Sequence, residues 1–278
     1  MSKGVIMRMG ILLVWLMGWM ITSLNAQTLE EERRWQALLD ASGVSAVLAQ
    51  TDLLIQQEIT NLEKAQLGFT AQELATLQQA LLNRLGPEQL QADIIARLQA
   101  TLKPQQQQEL QQLLQSPRAQ FLQTLQTQLD DAVVRDAMRT YKVQVKENAP
   151  NQHRVELISA LDASMQQSAL EAELKVELRK QLLATVTQLK TRENFSEAML
   201  DEQLSSYRRD LEDSISRNAL YAYLYLFKRT PSPQLQALVD TYNQPTYEQF
   251  MALCQETVQA SFRAAREQLL QDLRLAGK

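Results

Sequence analysis

Cysteine, histidine and glycine are nearly missing from this chain, and each shortage removes a class of chemistry. A single cysteine, Cys254, leaves no intramolecular disulfide possible. It sits in the apolar stretch Phe250-Met-Ala-Leu-Cys254, where a small buried hydrophobe is expected rather than a reactive thiol. The only histidine, His153, lies far from Cys254 in sequence, and no Gly-x-Ser-x-Gly turn accompanies any serine. A nucleophilic triad therefore has no setting. Zinc sites draw three or four ligands largely from Cys and His, and calcium loops need an Asp-x-Asp-x-Asp-Gly pattern; neither is present. Only Gly43, Gly68, Gly86 and Gly277 follow residue 26, too few and too scattered for a phosphate-cradling loop. No catalytic residue, metal or cofactor is expected.

An excess of positive charge is missing as well. Lys and Arg number 28 against 32 Asp and Glu, a net charge of −4, and loss of Lys3 and Arg8 with the leader described next takes it to −6. Without a basic face to neutralise phosphates, nucleic acid is not an expected partner. Runs such as Glu30-Glu-Glu-Arg-Arg34 and Tyr207-Arg-Arg-Asp-Leu-Glu-Asp213 mix both signs and read as solvated helix faces.

The chain opens with Lys3 and Arg8, then the apolar run Ile11 to Ile21, then Thr22-Ser-Leu-Asn-Ala26. This is the pattern of a secretory signal peptide, with cleavage expected after Ala26. The run has 11 residues, whereas a membrane span needs about 20. Export to the periplasm of a Gram-negative-type bacterium is expected. Retention as an inner-membrane anchor is the alternative, and membrane association is expected only then.

What remains is rich in Leu, Ala, Gln and Glu, with no alternating strand pattern, so the fold class is all-α. Thr28 with Glu31, and Thr70 with Glu73, are capping-box pairs that open helices; Gly43, Gly86 and the prolines mark where helices stop and start. Roughly ten helices are predicted, among them 44–67, 117–145 and a long one capped by Asn194, with Glu147-Asn-Ala-Pro-Asn151 as the linker between halves. The halves resemble each other: Leu39-Asp-Ala-Ser42 recurs as Leu161-Asp-Ala-Ser164, 122 residues on, and Ser116-Pro117 with Phe121 parallels Gln244-Pro245 with Phe250, 128 residues on. The expected organisation is a signal peptide (1–26) followed by two duplicated helical units, 27–148 and 149–278.

The paired pattern resembles the exported bacterial helical proteins of the domain of unknown function 2059. There each unit opens on a Leu-hydrophobic-Asp stretch and closes on a helix, a Ser-Pro-type turn and an aromatic-bearing helix. The closing pattern in this chain is Thr230 to Tyr242, Gln244-Pro245 and Phe250; its other copy runs from Leu102-Lys-Pro104 through Ser116-Pro117 to Phe121. The resemblance implies an exported all-helical protein with no assigned activity and no catalytic residues.

One local composition stands out. Ten of the thirteen Tyr and Phe residues fall between Phe195 and Phe262. On a helix, Tyr221 and Tyr225 share one face, and Tyr223 and Phe227 a neighbouring one. Either this helix is buried on several sides, or Tyr221, Tyr223, Tyr225, Phe227, Tyr242 and Tyr247 line a groove for an apolar ligand or a partner helix. The expected function is a non-enzymatic binding or interaction module of the envelope. A carboxylate-dependent exported hydrolase and a periplasmic chaperone or assembly factor are the alternatives.

Overall fold

The structure, a computed structural model, describes residues 30–191 and 195–276. The expected signal peptide, the expected Thr28 cap and the expected Asn194 cap lie outside these residues. Among the described residues the fold is entirely helical, as the composition requires, and no single helix is long and apolar enough to cross a membrane.

The helices are α1 (Glu30–Ala41), α2 (Val44–Leu48), α3 (Thr51–Lys64), α4 (Ala71–Leu85), α5 (Pro87–Thr101), α6 (Pro104–Leu114) and α7 (Pro117–Gln126). A 3-10 turn over Thr127–Asp130 leads to α8 (Ala132–Glu147), and α9 (Gln152–Met165), α10 (Gln167–Thr191), α11 (Glu197–Leu226), α12 (Ser232–Tyr242) and α13 (Pro245–Ala276) follow. Local chemistry accounts for most boundaries. Thr70 and Glu73 form the reciprocal capping box, with Glu73 N donating to Thr70 Oγ1 at 3.2 Å and Thr70 N to Glu73 Oε2 at 2.7 Å. Proline opens α5, α6, α7 and α13, where its missing N–H leaves no helical bond unmade.

Three boundaries differ from expectation. The predicted helix 44–67 breaks at Ala49–Gln50, where the buried Thr51 hydroxyl donates to Leu48 O at 2.6 Å. The predicted helix 117–145 breaks after Gln126, and Asp131 restarts it by accepting from Val133 N at 2.8 Å. Side chains that bond their own backbone compete with the helix in both places. The cap of α11 is Ser196, which accepts from Met199 N.

The two Leu-Asp-Ala-Ser segments adopt the same local structure. Ser42 Oγ donates to Leu39 O at 3.0 Å and Ser164 Oγ to Leu161 O at 2.9 Å, both buried at the end of a helix. Each helix then turns through a positive-φ residue, Gly43 (φ 79°) or Gln166 (φ 57°), into the next. A second parallel lies at the turns before α6 and α12: Arg154 donates to Thr230 O directly, whereas Arg34 reaches Gln107, which donates to Leu102 O. Leu102 and Thr230 are 128 residues apart.

The halves do not pack as two beads. α10 runs through the middle, against α2, α3, α9, α11 and α13. The closing helices also reach across the halves: α7 packs on α12, and α13, besides α10, packs on α4, α5 and α6. One continuous core results, from Trp35, Leu48 and Ile55 through Leu90 and Ile94 to Tyr242, Phe250 and Phe262.

Candidate binding groove

The aromatic segment of α11 divides by face, as helical spacing demands. Tyr223 and Phe227 point inward: Phe227 is fully buried, and its ring lies 6.1 Å from that of Tyr223 and 6.3 Å from that of Phe121. Tyr242 and Tyr247, on α12 and α13, are sealed in the same core with ring centroids 5.0 Å apart and an edge-on arrangement. The Tyr247 hydroxyl donates to Met165 O at 3.0 Å. Burial pushes all three phenols (Tyr223, Tyr242 and Tyr247) well above the ordinary tyrosine value. Phe227, Tyr242 and Tyr247 therefore line no open groove, a correction to the expectation. The Pro231-Ser-Pro233 turn folds α12 back onto α9 and closes that surface with protein.

Tyr221 and Tyr225 face outward and are half-buried beneath α8. Tyr225 meets Tyr141 edge-on at 5.6 Å and carries Lys228 over its ring; Lys142 lies 4.9 Å over Tyr221 and donates to Asn218 Oδ1 at 3.2 Å. α8 is the least embedded helix. Its contacts run mainly to α11 and the 3-10 turn, and none of its described side chains is fully buried. Val134, Ala137, Met138, Tyr141 and Val145 form its half-buried inner face, whereas Val133 and Val143 are 75% and 57% exposed.

Beside Met138 of α8, between α1–α2, α10 and α11, runs a groove of about 850 Å³. One wall is small and apolar, with Ala37, Ala41, Ala46 and Val47 from α1 and α2; the other carries Leu129, Met138, Leu211, Ile215, Ala219 and Ala222. The floor is polar. Gln126 Nε2 donates to Gln167 Oε1 (2.9 Å) and to the Tyr223 hydroxyl oxygen (3.1 Å), and Gln167 Nε2 donates to Ser42 O (2.7 Å). Tyr223 thus contributes its hydroxyl to the floor while its ring belongs to the core. Asp40 and the Glu171–Lys175 ion pair stand at the rim. A mostly apolar cleft of this size with a few fixed polar groups is the usual form of a small-ligand or peptide site.

The other sequence-derived residues have plain placements. His153 is exposed at the start of α9, its backbone N–H donating to the Asn151 cap. Cys254 is fully buried, and burial pushes its thiol up, away from the reactive thiolate. Among the acids of α11, Asp201 binds Lys180 at 2.7 Å and Glu212 lies 3.7 Å from Arg208. Arg208, half-buried, also reaches inward to Glu173 at 2.8 Å.

Sequence reasoning ran α8 together with α7 and missed the groove wall from α1 and α2. The available signal was the Asp130-Asp131 pair, which precedes a strongly amphipathic segment and marks a helix start. No family model, curated protein or solved structure matches this chain.

Proposed function

We propose that this protein is an exported, non-enzymatic binding module of the bacterial envelope, related to the domain of unknown function 2059 proteins through a duplicated helical unit. It holds an apolar ligand or the apolar face of a partner segment in the groove under α8. The observation that carries this reading is α8 itself, an amphipathic helix whose apolar face is only half covered and whose Met138 borders a cleft lined by alanines and aliphatic side chains. A helix that served only to stabilise the fold would bury that face. The leader sequence supplies the compartment and the duplication supplies the scaffold.

The test is a titration of the chain purified from the periplasm with the apolar fluorophore N-phenyl-1-naphthylamine, alongside Ala219→Trp and Tyr221→Ala/Tyr225→Ala. Saturable binding by the parent, lost in Ala219→Trp with the helical circular dichroism unchanged, is the expected result. The tyrosine pair, which holds α8 in place, is expected to weaken binding without abolishing it. Equal binding by parent and Ala219→Trp would remove the groove from consideration.

A further inference from the structure

We propose that a second cavity, beside the turn from α9 to α10 and adjoining the groove at Ser168, is a binding site for a primary ammonium group, with Asp162 as its counter-ion. The cavity measures about 630 Å³ and lies between α9, the start of α10, α11 and α13. Asp162 lines it and is itself only 9% exposed. One carboxylate oxygen accepts from Ser168 Oγ at 2.7 Å. No Lys or Arg among the described residues stands within 4.0 Å of this carboxylate.

The neighbouring acids are matched. Glu173 accepts from Arg208 (2.8 Å) and Gln259 (2.7 Å), and Glu212 pairs with Arg208. Asp162 is the carboxylate left over. Arg217 stands exposed at the mouth and does not reach it. A carboxylate withdrawn from water without a cation is costly to keep, and a ligand that brings the cation removes that cost. An ammonium group brings three donors. The second Asp162 oxygen and the hydroxyl and amide oxygens of Ser159, Ser216 and Gln255 line the same space to accept them.

The register between halves sharpens the assignment. Ser159, Asp162 and Ser168 stand 122 residues after Ala37, Asp40 and Ala46, which line the groove, and Gln255 stands 128 after Thr127. The two cavities therefore occupy corresponding places. Serine replaces alanine twice in the second one, and its aspartate is buried where Asp40 is exposed and accepts from Gln36 at 2.9 Å. The same scaffold position is apolar in one half and prepared for a polar, cationic guest in the other.

A free small amine and a lysine side chain of a peptide offer the same chemistry. Calorimetric titration of the chain purified from the periplasm would use putrescine and glucosamine for the first and Nα-acetyl-lysine methylamide for the second, with N-acetylglucosamine as the uncharged control. At least one amine is expected to bind saturably and the control not at all; the amine that binds names the source. Asp162→Asn, which keeps the acceptor for Ser168, is expected to weaken binding by about tenfold or more. Ala163→Trp blocks the mouth from an exposed position and should abolish binding with the fold unchanged. The proposal is overturned if no amine binds up to about 10 mM, if the control binds equally, or if a folded Asp162→Asn binds like the parent.

Discussion

Replacing Tyr247 with Phe removes one oxygen and tests whether the aromatic cluster is core. Tyr247 is fully buried, and its hydroxyl donates to the carbonyl of Met165, the last residue of α9, at 3.0 Å. That carbonyl is among those a helix leaves without an intrahelical partner. The substitution keeps the ring and its contact with Tyr242, so the loss is one hydrogen bond plus the cost of a stranded buried acceptor, about 2 kcal/mol. For a domain of this size that corresponds to a fall in Tm of roughly 4–8 °C. Tyr242→Phe is the matched control, because its ring is equally buried while its hydroxyl makes no hydrogen bond among the described residues. Its cost should stay within about 0.5 kcal/mol. Urea unfolding can be followed by the emission of Trp35, the only tryptophan after Trp19 and fully buried, with far-ultraviolet circular dichroism as the second probe. If the two variants lose the same stability to within about 0.5 kcal/mol, the Tyr247–Met165 tie is not holding α13 to α9 and the reasoning fails.

Gly43→Ala should cost about 1–3 kcal/mol in the same assay, since φ is +79° and the new Cβ would lie 2.4 Å from Gln167 Nε2, displacing that amide from Ser42 O. Lys180→Met should cost about 2–4 kcal/mol, because Lys180 binds Glu197 and Asp201 at 2.7 Å each and stands 3.7 Å from the buried Glu177; adding Glu177→Gln should recover a substantial part. Asp162→Asn should raise Tm at neutral pH. Burial, with Glu171 adding repulsion and Ser168 opposing, holds the Asp162 carboxyl above its ordinary 3.8, so the folded chain takes up the proton first and the ionised form weakens the fold. The parent should gain on the variant as pH falls through that raised value, and the difference should close near the unfolded value; an unchanged difference between pH 7 and pH 4 would refute the assignment.

Much of this fold is legible residue by residue, because capping and proline chemistry act locally. Thr70 with Glu73, the four prolines at first helical positions and Gly43 each sit at the boundary they announce. The break at Asp131 was within reach of the same logic. The faces of α11 were not. Tyr221 and Tyr225 differ from Tyr223 and Phe227 only by which neighbour covers them, and that is settled by α8, α12 and α13, elements remote in sequence. The charges of α10 are illegible for the same reason. Glu173, Glu177 and Lys180 alternate with apolar residues like a solvated face, yet they are buried against α11 and α13, whose Arg208, Asp201, Glu197 and Gln259 complete them. The setting of Asp162 is still less visible, since its burial depends on α9, α10, α11 and α13 coming together around it.

The reach of α13 across to α4, α5 and α6 has a consequence for how the chain is born. Synthesis delivers the first half well before α13, at some 5–20 residues per second. Until that last helix arrives, α4, α5 and α6 lack the partner that covers part of their apolar surface, including the neighbourhood of Leu90, Ile94 and Leu98. Contacts this distant in sequence close late and together. The first half is therefore incomplete until α13 arrives, and the surface shared by α4, α5 and α6 closes only near the end of the chain's own delivery.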